Sequence, residues 1–134
     1  MRDLRDAHEK EHFVRFSIRA HDRVLPGSTC GDRVLVSGTG PIWPDGSCPD
    51  DPGAQAQRCF EIIDAALTEA GSTLSAVVRT RMYLTDPSAV KAVSAEHGRV
   101  FSDIRPAATM VIVAGLVDDR WKVEIEVEAL IVDG

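Results

Sequence analysis

RPAATMVIVAGLVDDRWKVEIEVEAL, residues 105 to 130, is the stretch whose reading decides the fold. It reads as two strands joined by a short, charged turn. The first, Ala108 to Ala114, is an almost unbroken apolar run rich in Val and Ile, as expected of a strand buried on both faces. The second alternates. Val123, Ile125 and Val127 fall on one face and Glu124, Glu126 and Glu128 on the other, because successive strand side chains point to opposite sides. Burying unpaired charge is costly, so the row of carboxylates faces water, a cleft or another subunit.

The same periodicities organise the rest of the chain. Residues 1–12 form a polar extension of mixed charge, and residues 13–134 form one domain. FVRFSI (Phe13 to Ile18) alternates as a strand. Asp32 to Gly38, DRVLVSG, is the clearest strand of the first half, entered by a turn at Gly31 and Asp32. The segment 38–53, rich in Gly, Pro, Asp and Ser, is a loop of a length often put to functional use. Ala54 to Ala70 is the main helix: Cys59, Ile62, Ile63, Ala66, Leu67 and Ala70 share one face, and Gly71 ends it. Ala76 to Leu84 is a strand with Val78, Thr80, Met82 and Leu84 towards the core and Val77, Arg79, Arg81 and Tyr83 outward. A second helix, about Pro87 to Phe101, opens on Asp86 as cap and Pro87 in the first turn. The order strand pair, helix, strand, helix, strand pair gives an α+β domain of two βαβ-like halves. Helices cover one face of the sheet, and self-association is the economical cover for the other. On that bare face Arg79 and Arg81 either meet the glutamate row or stand as solvated charges.

Composition narrows the function. The chain has 134 residues, 44% hydrophobic and 27% charged, with a formal net charge of −6. An acidic chain without a basic run is not expected to bind nucleic acid, whose affinity comes largely from Lys and Arg on phosphates. The charged N-terminus does not resemble a signal peptide and no long apolar run suggests a membrane span, so a cytoplasmic location is expected. Cys30, Cys48 and Cys59 show no paired spacing, and reduced, structural thiols are expected. His8, His12 and His21 are scattered, with no metal-ligand pattern.

Three segments, taken with this element order, resemble the Rid family, the YjgF-like reactive-intermediate deaminases: GDRVLVSGTGP (Gly31 to Pro41), FSDIRPAATMVIVAGL (Phe101 to Leu116) and WKVEIEVEAL (Trp121 to Leu130). The resemblance covers residues 20 to 132. It implies a chorismate-mutase-like fold, a mixed β-sheet with two helices on one face, assembled as a homotrimer with clefts between subunits. It also implies a small-molecule metabolite as ligand and hydrolysis of enamine or imine intermediates to 2-oxo acids and ammonia, without metal or cofactor. An older name for the family is endoribonuclease or translation inhibitor.

Carried over residue by residue, the resemblance assigns the family's strand-end Ser-Gly to Ser37 and Gly38 and its cleft glutamate to Glu124. The arginine that grips a substrate carboxylate falls at Ala108, the cysteine two places on at Met110, the helix asparagine at Ser94 and the cleft tyrosine at Val24. A methyl group cannot replace a bidentate guanidinium, so activity on 2-imino acids is doubtful and a different ligand is implied. Arg105 lies an odd number of residues away, and a straight strand would aim it at the opposite face.

Glu124 is the leading catalytic candidate, as general acid or base, against a solvated strand-face glutamate. Thr109, after Ala108, offers a hydroxyl or backbone N–H, or only strand packing. His97 follows Ser94 at helical spacing, so the two share a face as a proton carrier and a hydroxyl; a surface or capping histidine is the alternative. Trp43 and Trp121 can wall a pocket or simply pack. The expected function is a cofactor-free hydrolase of the imine deaminase type. The alternative is a non-catalytic trimer that binds a small ligand or has a regulatory role, and ribonuclease action is disfavoured by charge.

Overall fold

The computed structural model describes residues 31–132. The polar extension 1–12, the strand expected at Phe13 to Ile18, Val24, Cys30 and the first three histidines lie outside the described residues. Within them the order is β1 (Arg33–Thr39), α1 (Pro52–Glu69), β2 (Val77–Leu84), α2 (Val90–Phe101), β3 (Ala107–Ile112) and β4 (Val123–Leu130). The strands form one mixed sheet in the order β1-β4-β2-β3. β4 runs antiparallel to both β1 and β2, and β3 runs parallel to β2. Among the described residues no helix is long and apolar enough to cross a membrane.

β4 is central because its inward side chains fit a two-layer core. Val123, Ile125, Val127 and Ala129 are buried, with Val34 and Val36 of β1, Met82 and Leu84 of β2, and Cys59, Phe60, Ile63, Ala66 and Leu67 of α1. α1 starts earlier than its apolar pattern suggests. Asp51 caps it by accepting from Ala54 N at 2.7 Å, with Pro52 in the first turn. Gly71, at φ 82, ends it in the left-handed conformation that glycine adopts without steric cost. Phe60, outside the expected stripe, is buried, while Ile62 is half-buried. Cys48 and Cys59 are free thiols.

Three expectations are corrected. The last two strands are not neighbours: β2 lies between them, and residues 113–122 carry the chain past it. β3 is not buried on both faces, because among the described residues it is an edge strand; Val111 and Ile112 are 40% and 47% exposed. Val77 points into the core and Val78 outward, the reverse of simple alternation. The pairing slips between Val77↔Ala129 and Arg79↔Glu128, so Val78 is the extra residue of a β-bulge.

Two buried residues, Gln55 and Trp121, help to fix the loop 40–51. Gln55, fully buried, donates from Nε2 to the Pro49 carbonyl at 2.9 Å and the Arg120 carbonyl at 3.0 Å, and accepts from Lys122 N at 2.7 Å. It therefore ties the loop to the entry of β4. Gly40 lies under the buried Trp121, and a Cβ there would stand 2.4–2.6 Å from three indole carbons. Gly40→Ala is therefore expected to cost about 1–3 kcal/mol, the usual range for overpacking, read as a lower midpoint in denaturant unfolding. A midpoint equal to wild type would contradict this packing.

Candidate active site

A second bulge builds the site. β1 pairs with β4 at Val36↔Val127 and then at Thr39↔Ile125, so Ser37 and Gly38 together oppose Glu126. The bulge lets Val36 and Thr39 both turn inward while Ser37 and Gly38 stay half-buried on the outer face. Thr39 stabilises the kink by donating its hydroxyl to the Ser37 carbonyl at 2.9 Å. Beneath it the buried Cys59 thiol lies 3.2 Å from the Thr39 carbonyl, and burial pushes that thiol well above its usual range.

Glu124 lies against this bulge. A Cβ on Gly38 would sit 3.1–3.3 Å from its three carboxyl atoms, tight enough that the carboxyl would have to shift by a few tenths of an ångström. The other two glutamates of the row are engaged. Glu128 meets Arg33 at 3.3 Å and Arg81 at 3.4 Å; Glu126 accepts from the Tyr83 hydroxyl at 2.5 Å and has Arg81 at 3.8 Å. Arg81 therefore joins the glutamate row, and no ion pair of Arg79 is found among the described residues. Nor does a cation pair with Glu124 there. Burial pushes the Glu124 carboxyl above the ordinary range, and the neighbouring Glu126 charge adds to the shift. An open depression of about 520 Å³, lined by Leu35, Ser37, Arg81, Glu126 and Glu128 among others, lies over the same face. Glu124 stands beyond its lining, at the Gly38 end of the row.

The other candidates are placed elsewhere. Thr109 pairs with Arg81 and shares its face, but β2 separates it from β4. At roughly 4.8 Å per strand spacing its backbone is about 10 Å away. Ala108 pairs with Thr80 and Met110 with Met82, which puts both on the helix side of the sheet. Ser94 is exposed on α2. His97 is on the helix side too: its Nε2 lies 2.9 Å from the Thr80 hydroxyl, between Phe60 and Phe101, and burial lowers its pKa. One chain thus brings together Ser37, Gly38 and Glu124, and leaves Thr109 at the edge and Ser94, His97, Ala108 and Met110 across the sheet. Arg105 also differs from expectation. It precedes β3, is exposed and holds φ 54, so strand alternation does not set its direction. Trp121 packs in the core, as one of its two readings had it; Trp43 is half-buried in the loop.

Residues 18–131 match the model of the family described as Endoribonuclease L-PSP. The chain belongs to this family. A relative in Escherichia coli K12, named 2-iminobutanoate/2-iminopropanoate deaminase, is 31% identical over 112 residues, covering 81% of this chain and 85% of that protein. A RutC family protein of Haemophilus influenzae is 36% identical over 107 residues, covering 76% and 80%. The solved structure of Rv2704 of Mycobacterium tuberculosis, a YjgF/YER057c/UK114 family member, superposes with a TM-score of 0.68 at 40% identity, covering 75% of this chain and 80% of that one. The expected family and the α+β fold with a mixed sheet and two helices are borne out.

Tyr83 and Glu126 are the site residues that sequence reasoning missed. Tyr83 stood in the outward set with Arg79 and Arg81, yet its partner follows only from the pairing of β2 with β4. Among the described residues no three His, Cys, Asp or Glu side chains gather as a metal-binding group.

The raised Glu124 pKa has a consequence for stability. Folded Glu124 keeps its proton to higher pH than the unfolded chain does, so its contribution is fully present below the ordinary carboxyl range. That contribution is lost as pH climbs towards the raised value. Glu124→Gln, which cannot ionise, is expected to be more stable than wild type at pH 7, with the gap closing near pH 4. Denaturant unfolding at both pH values checks this; a gap that widens towards acid would contradict it.

Proposed function

We propose that the chain is a cofactor-free hydrolase, a homotrimer whose inter-subunit cleft hydrolyses a small imine, enamine or related carbonyl-type metabolite. The observation that carries this reading is Glu124, a half-buried carboxyl with a raised pKa and no cation beside it among the described residues. Such a group holds its proton more readily than a solvated carboxylate, which suits it to proton transfer with a bound ligand. Glu124 as carboxylate takes a proton from water as the water oxygen bonds to the carbon of the protonated imine, giving a neutral carbinolamine. It then returns that proton to nitrogen, the C–N bond breaks and ammonia leaves, and the freed carboxylate takes the remaining hydroxyl proton, to be passed to solvent, as the carbonyl forms. Ser37 and the bare Gly38 backbone position the water and the reacting carbon.

A neighbouring copy supplies the opposite wall, because Thr109, Ser94, His97, Ala108 and Met110 lie away from Glu124 in the same chain. The name of the Escherichia coli relative supports imine chemistry. Ala108 argues against a carboxylate-bearing substrate, since a methyl group offers no partner to the anion.

Glu124→Gln is expected to lower kcat by about a hundredfold or more, the usual worth of a general acid–base, with the oligomer unchanged by size-exclusion chromatography. Full turnover in that variant would remove Glu124 from the mechanism. Wild type is expected to be slow on 2-iminopropanoate, and Ala108→Arg to raise kcat/KM on it about tenfold or more, the worth of a charge-assisted hydrogen bond. A fast wild type that Ala108→Arg does not improve would overturn the role given to position 108.

A further inference from the structure

The outward row of β2 does not pair straight across with that of β4. Register sets Tyr83 opposite Glu124, Arg81 opposite Glu126 and Arg79 opposite Glu128. The side chains instead lean one step along the row. The Tyr83 hydroxyl donates to Glu126 and Arg81 reaches Glu128. Such diagonals lie within reach of aromatic and long side chains. The displacement leaves Glu128 with two guanidinium groups and Glu126 with a phenol and a more distant one. Glu124 is left without the hydroxyl that register places opposite it.

From this geometry we infer that Tyr83 is a positioning residue: by binding Glu126 diagonally it holds that carboxylate beside Glu124 and leaves Glu124 as the carboxyl open to the ligand. The inference rests on the proposed role of Glu124 and deepens it. The phenol is a committed donor, because its hydrogen bond to Glu126, and then burial, raise its pKa. Glu126 accepts that hydrogen bond, so the phenol donates none to Glu124. The groups around Glu124 on each packed element are Glu126 on β4, Tyr83 on β2, Ser37 and Gly38 on β1, and the buried Cys59 thiol on α1. Of these only Glu126 brings a full charge, so its position governs the field at Glu124.

The test is NMR titration of glutamate side-chain carboxyl carbons in the full chain, with the Glu124 signal assigned from Glu124→Gln. It needs no turnover. In Tyr83→Phe, which keeps the ring, Glu126 relaxes towards Arg81 and the Glu124 midpoint is expected to fall. Glu126→Gln, which removes the charge, is expected to lower it further, by roughly half a pH unit, the size of a one-charge interaction across several ångströms of mostly aqueous surroundings. Tyr83→Phe added to Glu126→Gln is expected to move it no further, because the two act through one contact. A midpoint unmoved by Tyr83→Phe, or moved equally with and without Glu126, would overturn the inference. Hydrolysis that survives Glu124→Gln would instead defeat the proposed function and leave this titration readable.

Discussion

Alternation along β4 is the constraint on which the structure depends. A central strand must satisfy two neighbours and two faces at once. Its inward residues, Val123, Ile125, Val127 and Ala129, close the core against α1, and the same period of two fixes Glu124, Glu126 and Glu128 on the outer face. The core and the carboxylate row are thus one decision of the sequence. Slipping the register by a residue would bury three glutamates and expose the aliphatic set.

The cost of holding three like charges in a row is met unevenly. Cations collect at the Glu128 end, a phenol occupies the middle, and the Gly38 end receives only a gap in the β1 backbone. The bulge at Ser37 and Gly38 serves packing and site together, since it keeps Val36 and Thr39 inside while clearing space for the Glu124 carboxyl. A carboxyl beside glycine with no cation against it among the described residues is a local weakness in stability, and the proposed chemistry is placed there.

Local patterns in the sequence carried much of this. The β1 strand, the α1 stripe ended at Gly71, and the two-faced β4 rest on periodicity and turn chemistry within a few residues, and each stands in the structure. Strand order was not legible, because sequence neighbours suggest β3 beside β4 whereas β2 intervenes. Bulges at Val78 and at Ser37 and Gly38 were hidden for a similar reason: one extra residue inverts alternation without a mark in composition. Glu124, Ser37 and Gly38 came through resemblance to a family, and the structure brings those three together. Thr109 did not join them, as adjacency to Ala108 in sequence says nothing of the strand between. The link from Tyr83 to Glu126 required the β2–β4 register, and the buried Gln55 looked like any polar helix residue.

The apolar edge at Val111 and Ile112 and the charged outer face give the proposed trimer its importance, since in that proposal a neighbouring copy completes the cleft and can also bring new charge to it. The most direct measurement is a crystal structure of the assembled protein at neutral pH. It is expected to place the Glu124 carboxyl in a water-filled crevice between copies, against Gly38, with no Lys or Arg nitrogen within ion-pair distance. A guanidinium or ammonium group from a neighbouring chain closed onto Glu124 would contradict the account, because the carboxyl would then be a structural ion and not a proton carrier.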